Sequence, residues 1–421
     1  MQDPGGWNGR KPGHDLAGFP RSPRPHPSVC RIEKTYPVSS PRFVMVAGEA
    51  SGDMYGAEVA RCLFKKFPSC RIYGLGGPKM RQAGVQLEGD ISKTAVIGPF
   101  EVISHLGTLY RVFRRIAERI ETDPPAAALL IDFPDFNLRL AKRLKQAGAP
   151  VFYYISPQVW AWRAGRVKQI RQLVDKMLVI FPFEEELYRK AGIEVEFVGH
   201  PLMDMVRTTK SKEEFCDDHR LDPKKPIVTL LPGSRSKEVR FILPILCKAA
   251  ELIAAANSDA QFVLPIAPGL DPRLIESIIQ SRPITVLSNE TYNAIRYSRA
   301  AVVASGTATL ETALLGTPEV IVYRISPATW FLGKLFLKVR LFGIVNIILG
   351  EEVVPELFQD QMTPAAVAEM TQRLMDDVWM QSRIRGNYER LRRQLGSGNV
   401  AERVANAVAS AVNSEQPRTR E

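Results

Sequence analysis

The run Val44-Met45-Val46-Ala47-Gly48-Glu49-Ala50-Ser51-Gly52-Asp53 decides the fold. An uninterrupted apolar strand ends in a loop of small residues, and Asp53 offers a carboxylate to cap a helix running from Met54. Working outward, the same unit of strand, loop and helix recurs. Strands are predicted at residues 43–47, 71–74, 127–132, 151–155, 177–182 and 194–198, and again at 226–231, 261–265, 284–287, 300–304 and 319–323, with amphipathic stretches between them. That alternation is the pattern of parallel sheets joined by crossover helices, so the expected fold class is α/β with two open sheets. A break after Gly199-His200-Pro201 separates the two series, and a mostly helical end covers residues 363–412. The expected organisation is a basic, disordered extension over 1–40, a first domain over 41–207, a second over 208–385, and a C-terminal helix and tail over 386–421.

At 421 residues with 45% hydrophobic content, the chain can bury two α/β cores, which excludes a small binding module. Its net charge of +11 favours polyanionic partners, whether nucleic acid, phosphorylated ligands or an anionic membrane surface. Five cysteines without close spacing (Cys30, Cys62, Cys70, Cys216 and Cys247) point to reduced thiols and a cytosolic setting rather than a disulfide framework or a zinc knuckle. No apolar run approaches the ~20 residues of a spanning helix, and the N-terminus carries no apolar signal-peptide core. Membrane contact is therefore expected to be peripheral.

Ligands of open α/β sheets bind beyond the carboxyl ends of strands, where helix N-termini present free N–H groups. The loop after the first strand makes Glu49, Ser51, Gly52 and Asp53 candidate contacts, although a strand-to-helix turn with no ligand fits the same residues. In Leu230-Leu231-Pro232-Gly233-Ser234-Arg235, a strand delivers Gly233, Ser234 and a guanidinium to one turn; Arg235 is suited to a diphosphate or, equally, to solvent. In Ala304-Ser305-Gly306-Thr307-Ala308-Thr309-Leu310-Glu311, the hydroxyls of Ser305, Thr307 and Thr309 and the backbone at Gly306 suit phosphate oxygens, and Glu311 suits ribose hydroxyls. A ligand-free helix start is the alternative there. The absence of a P-loop lysine disfavours ATP hydrolysis, and G-x-G-x-x-G is missing from the first loop.

Ile131-Asp132-Phe133-Pro134-Asp135-Phe136-Asn137 sets two carboxylates three apart. Pro134 argues against one helix carrying both, so Asp132 is the better general-base candidate, an ordinary loop aspartate fitting it equally, and Asp135 the helix cap, with Gly148 closing that helix. Ser156, Trp160, Trp162 and Arg163 follow an aromatic strand; indoles and a guanidinium suit sugar faces and phosphates, and core filling by one tryptophan is the plainer use. His200 reads as a hydrogen-bonding hinge residue. Two amphipathic stretches, Phe100 to Ile116 and Trp330 to Phe342, combine apolar stripes with clustered basic residues and fit either an anionic lipid interface or a core-facing helix.

Taken in order, Val46 to Asp53, Asp132 to Asn137, Ser156 to Arg163, Leu231 to Arg235 and Ala304 to Thr307 resemble the lipid-A-disaccharide synthases, from about Phe43 to the C-terminal helices. That resemblance implies a GT-B fold, with two Rossmann-like domains whose parallel sheets face a central cleft. It implies an inverting glycosyltransferase of lipid A biosynthesis in a Gram-negative bacterium, joining UDP-2,3-diacylglucosamine to 2,3-diacylglucosamine 1-phosphate and releasing UDP. Asp132 and Arg235 match the positions with the strongest claim on catalysis. Residues Ser305 to Glu311 match the nucleotide site, the loop at Glu49 to Asp53 would face the acceptor sugar, and Asn346 matches a family asparagine that more often follows a proline. No metal or cofactor and no nucleic-acid partner is implied. A cytoplasmic enzyme held peripherally at the inner membrane is, and a homodimer is compatible with it.

Two other readings compete. A UDP-N-acetylglucosamine 2-epimerase would use similar nucleotide loops without joining sugars. The net charge and basic N-terminal stretch also fit a non-catalytic scaffold for nucleic acid or membrane.

Overall fold

A computed structural model of the chain describes residues 40–91, 102–157, 165–324 and 341–414, which lie in one compact unit beginning at Ser40. The first half carries β1 (Arg42–Ala47), α1 (Ala50–Lys66), β2 (Arg71–Gly76), α2 (Pro78–Gln82), β3 (Gln86–Asp90), α3 (Val102–Thr122), β4 (Ala127–Ile131), α4 (Pro134–Gln146), β5 (Val151–Tyr154), α5 (Gly165–Leu173), β6 (Lys176–Val179), α6 (Pro182–Lys190), β7 (Val195–Phe197) and α7 (Leu202–Met205). The second carries α8 (Lys212–His219), β8 (Ile227–Leu231), α9 (Ser236–Ala256), β9 (Gln261–Ile266), α10 (Pro272–Ile279), β10 (Ile284–Ser288), α11 (Thr291–Tyr297), β11 (Ala300–Ala304), α12 (Thr307–Leu315), β12 (Glu319–Tyr323), α13 (Ile344–Leu349) and β13 (Glu356–Phe358). Three helices follow: α14 (Pro364–Asp376), α15 (Val378–Leu395) and α16 (Val400–Ser414).

In β1, Phe43, Met45 and Ala47 face one hydrophobic cluster while Val44 and Val46 face another, and none of the five is more than 1% exposed. Burial on both faces is why the run shows no polar alternation. The strands form two parallel sheets, ordered β3-β2-β1-β4-β5-β6-β7 and β10-β9-β8-β11-β12-β13. Each chain half starts in mid-sheet, at β1 or β8, builds outward on one side, then returns to pair its fourth strand with its first. The reversal between β1 and β4, and that between β8 and β11, opens a crevice at the carboxyl edge of each sheet.

Two strands escaped the sequence reading. β3 (Gln-Leu-Glu-Gly-Asp) is a half-buried edge strand with no apolar run, and β13 is a three-residue strand at the opposite kind of edge. β6 stops at Val179 rather than 182 because Pro182, which lacks an N–H for the ladder, opens α6. The boundary read at 385/386 falls inside α15, which packs on α12, α13 and α14 of the second half. Among the described helices of this end, α16 crosses back and packs onto α1 and β4. This return is pinned to the outgoing linker: the Asp204 carboxylate accepts the Asn399 and Val400 N–H groups, each at 2.7 Å, the His200 N–H donates to the Leu395 carbonyl at 2.9 Å, and Arg403 Nε donates to the Val198 carbonyl at 2.8 Å.

In α3, Val112, Ile116 and Ile120 are buried against the first sheet, while Tyr110, Arg111, Arg114 and Arg115 face outward. Of the two amphipathic stretches, Phe100, Glu101 and the segment from Trp330 to Arg340 lie outside the described residues. No described helix is long and apolar enough to cross a membrane. Cys62, Cys70, Cys216 and Cys247 are free thiols; Cys30 is outside the described residues.

Candidate active site

Asp132 sits one residue past β4, at the crevice of the first sheet. Its backbone is clamped: the N–H donates to the Tyr154 carbonyl at 2.9 Å, and the carbonyl accepts from Tyr153 Oη and Asn137 Nδ2, each at 2.6 Å. The clamp holds Asp132 (φ 45°) and Phe133 (φ 49°) in left-handed conformations, and Ile155, one strand over, has φ 64°. Such non-glycine backbone costs on the order of 1–3 kcal/mol per residue and gathers where a side chain must be aimed. Burial, and secondarily the Glu49 carboxylate, push the Asp132 carboxyl up to about 6, against a backbone hydrogen bond from Phe133 that lowers it. Asp132 is therefore ionised at neutral pH yet basic enough to take a proton.

The first loop is built differently from its sequence reading. α1 begins at Ala50, not Met54, and Asp53 does not cap it. Asp53 is 2% exposed and its carboxylate accepts the N–H groups of Gly77, Lys79 and Met80 at 2.7, 3.0 and 2.9 Å, closing the start of α2. Its oxygens are committed to the scaffold, which corrects the expectation of a substrate contact. Gly48 serves packing instead of ligand approach: a Cβ there would fall 2.1 Å from the Phe133 ring, which stacks in turn on Phe136 at 5.4 Å. Gly52 lets α1 lie close to β1, a Cβ meeting that of Ala47 at 3.2 Å. Glu49 and Ser51 face the cleft beside Asp132.

α4 starts at Pro134, with Asp135 in its first turn paired to Arg166 at 2.7 Å and no side chain capping its N-terminus. Asp135 is thus an ion-pair partner rather than the cap that its spacing implied. Ser156 is 7% exposed; its hydroxyl lies 2.8 Å from the Pro157 carbonyl, to which it donates, and shares a 2.6 Å hydrogen bond with Tyr188 Oη. Trp160, Trp162 and Arg163 lie outside the described residues.

In the second half, the loop after β8, whose Gly233, Ser234 and Arg235 are not among the described residues lining the cleft, holds Gly233 at φ 111°, where a Cβ would meet Glu238 Oε2 at 2.6 Å. Arg235, at the N-cap of α9, pairs with Glu238 at 3.2 Å and leaves 66% of its side chain exposed; Ser234 is exposed beside it. Next to this turn, after β11, Gly306 and Thr307 are exposed at the start of α12, and Ser305 Oγ donates to the Phe342 carbonyl at 3.1 Å. Thr309 is fully buried and donates to the Gly306 carbonyl at 2.8 Å, so it braces the turn and cannot meet a ligand. Glu311 accepts from Tyr292 Oη at 3.0 Å, and burial raises its carboxyl above the ordinary range. Asn346 is also corrected. It is fully buried, Nδ2 donates to the Val354 carbonyl and to Glu356, and Oδ1 accepts from the Val353 and Val354 N–H groups, so its amide is spent holding the loop.

Between the halves lies a cleft of about 530 Å³, within the range of small-molecule sites. The structure brings Glu49, Ser51, Gly52, Asp132 and Ser156 to one side and Thr307 to the other. Glu184 and Arg166 were missed, and His200, read as a hydrogen-bonding hinge residue, also lines the cleft. Glu184, at 2% exposure, has its carboxyl pushed up to about 7 by burial, and one oxygen accepts the Phe181 N–H at 3.3 Å. His200, buried, has an imidazole lowered to about 3 by desolvation; Nδ1 accepts the Leu202 N–H at 3.2 Å, which leaves the proton of the neutral ring on Nε2. Applying the strand-end rule to β6 as well as to its neighbours would have found Glu184 in Phe181-Pro182-Phe183-Glu184.

The family profile described as lipid-A-disaccharide synthetase matches residues 43–411. The lipid-A-disaccharide synthase of Geobacter metallireducens is 43% identical over 372 residues, covering 87% of this chain and 96% of the relative. That of Coxiella burnetii is 40% identical over 371 residues, covering 88% and 98%. Among solved structures, a UDP-GlcNAc 2-epimerase from Neisseria meningitidis bound to UDP-GlcNAc superposes with a TM-score of 0.62 at 12% identity, over 88% of this chain and 100% of that one. The glycotransferase of kitacinnamycin superposes with a TM-score of 0.59 at 15% identity, over 88% and 99%. These likenesses establish the GT-B architecture of two facing parallel-sheet domains. A transferase and an epimerase share it, so the architecture does not choose between them. The sequence match does, and on it this chain belongs to the lipid-A-disaccharide synthase family.

Proposed function

We propose that the protein joins UDP-2,3-diacylglucosamine to 2,3-diacylglucosamine 1-phosphate, giving the β-1,6-linked disaccharide 1-phosphate and UDP. The observation that carries the mechanism is Asp132, a strained, half-buried carboxylate held at about 6 in the wall of a cleft between two nucleotide-type sheets. The acceptor's 6-hydroxyl gives its proton to Asp132 as its oxygen attacks the anomeric carbon of the donor. The bond from that carbon to the UDP oxygen breaks with its electron pair, and the configuration inverts because attack and departure occur on opposite faces. The departing diphosphate gains negative charge, and Arg235 with the N-terminal N–H groups of α9 and α12 is the nearby source of compensating positive field. Support for this division of labour comes from the crevice positions of the two pairs of loops and from the family assignment. The outward face of α3, with Tyr110 among three arginines, is the described surface best suited to an anionic inner-membrane leaflet, and peripheral attachment there is part of the proposal.

The test is incubation of the purified protein with the donor, with and without the acylated acceptor. UDP release that requires the acceptor, with a β-linked product by NMR, is the expected result. Conversion of UDP-N-acetylglucosamine to its 2-epimer with no acceptor requirement would overturn it.

A further inference from the structure

Both proposed substrates carry phosphate, yet the described cleft lining is acidic: Glu49, Asp132 and Glu184 supply carboxyls, and His200 is neutral. Among the described lining residues, Arg166 is the lone cation. Its side chain is 19% exposed, whereas its partner Asp135 is 78% exposed, so the pair is open to solvent on the carboxylate side. Only Nη2 is used, donating to Asp135 Oδ1 at 2.7 Å. That bond takes one of the two Nη2 hydrogens, so one two-donor edge of the fork, Nε with Nη2 or Nη1 with Nη2, keeps both of its N–H groups without a side-chain partner among the described residues. The same guanidinium acts electrostatically on Tyr153, whose hydroxyl grips the Asp132 carbonyl, so Arg166 and the base belong to one neighbourhood.

We infer that Arg166 recognises the phosphate of the acceptor sugar through the unused edge of its guanidinium. The inference rests on the proposed transfer reaction and deepens it. The donor diphosphate belongs with Arg235 on the opposite half, and a second phosphate brought into an acidic cleft needs a cation of its own. Guanidinium is the group that binds a phosphate bidentately while keeping a carboxylate on its other edge. Asp135 then orients Arg166 and balances its charge when the subsite is empty. In the acceptor, C1 with its phosphate and C5 with its 6-hydroxymethyl group flank the same ring oxygen, so fixing the phosphate also limits where the reacting hydroxyl can lie and presents it to Asp132.

The experiment compares two acceptors, 2,3-diacylglucosamine 1-phosphate and the same sugar without phosphate, in the wild type, Arg166→Gln and Arg166→Lys, with thermal melts to establish folding. Wild type should prefer the phosphorylated acceptor. Arg166→Gln should cut kcat/KM for that acceptor by about 10- to 100-fold, the scale of a charge-assisted hydrogen-bonded pair, with a loss on the unphosphorylated acceptor smaller by about tenfold and the donor KM left in place. Arg166→Lys should restore part of the preference, since it keeps the charge and loses the fork. Equal losses on both acceptors, a rise confined to the donor KM, or a wild type indifferent to the phosphate would each overturn the assignment. Failure of the transfer reading looks different: no disaccharide from either acceptor with any variant.

Discussion

Substituting Asp132 by asparagine keeps the shape of the clamp and removes the proton acceptor. Losing a positioned general base costs about 10²- to 10⁴-fold in turnover, which corresponds to about 3–5.5 kcal/mol of barrier. The pH dependence is more diagnostic. A carboxyl at about 6 is about nine-tenths ionised at pH 7 and about one-tenth at pH 5, so an enzyme needing the ionised form loses about tenfold of its kcat/KM over that interval. An aspartate with ordinary solvation would lose less than about a tenth of its activity over the same range. The sign follows from the base role: activity disappears as pH falls through the raised value. Glu184 also titrates nearby, at about 7, and Glu184→Gln separates the two because it should leave the acidic limb in place. The assay is acceptor-dependent UDP release from pH 5 to 8, at substrate concentrations well below KM. A flat profile down to pH 5 in wild type, or a limb that survives in folded Asp132→Asn, would refute the reasoning.

Four further outcomes are expected. Arg235→Ala should lower turnover by about 10²- to 10³-fold, as when a donor to a developing anion is lost, with an unchanged melting temperature because its exposed pair with Glu238 stabilises little; turnover within twofold of wild type withdraws Arg235 from the mechanism. Gly48→Ala should cost about 1–3 kcal/mol by overpacking against Phe133 and reduce kcat by about tenfold or more through misplacement of Asp132; unchanged kcat would separate the ring from the base. Asn346→Ala leaves the Val353 and Val354 N–H groups and the Val354 carbonyl unpartnered, and denaturant titration should show a loss of about 2–4 kcal/mol. Glu319 is fully buried with its carboxyl raised by desolvation, so the native state favours the protonated form and its contribution is lost as pH rises above the unfolded value of about 4.3. Glu319→Gln should therefore gain melting temperature relative to wild type progressively from pH 4.5 to 8; a pH-independent difference contradicts the buried-acid account.

Much of the architecture was legible because the central strands are apolar on both faces, as in Val44 to Ala47 or Ala300 to Ala304, and a run of that kind has few other uses. Edge strands carry no such signal: β3 is half-buried and polar, and periodicity cannot separate it from a loop. The site was legible as far as strand ends could be counted, which brought Asp132 and the loop at Glu49 and Ser51 to one cleft. What side chains do locally was not. Asp53 looked like a cap for its own helix and is bonded to a turn 24 residues away; Asn346 looked like a ligand contact and is consumed by Val353, Val354 and Glu356. Both errors have one physical origin: a polar side chain bonds whatever buried N–H or carbonyl the tertiary fold brings near, and sequence spacing reports only local partners.

Among the described residues the chain passes between the two sheets twice, after Val198 on the way out and after Leu395 on the way back, and the two passages are bonded to each other through Asp204, His200 and Arg403. Mechanically this is two pins on one axle. A single connector would tether the second sheet at one point, whereas two connectors bonded to each other hold it along a line, with α16 laid against that line from the side of the first sheet.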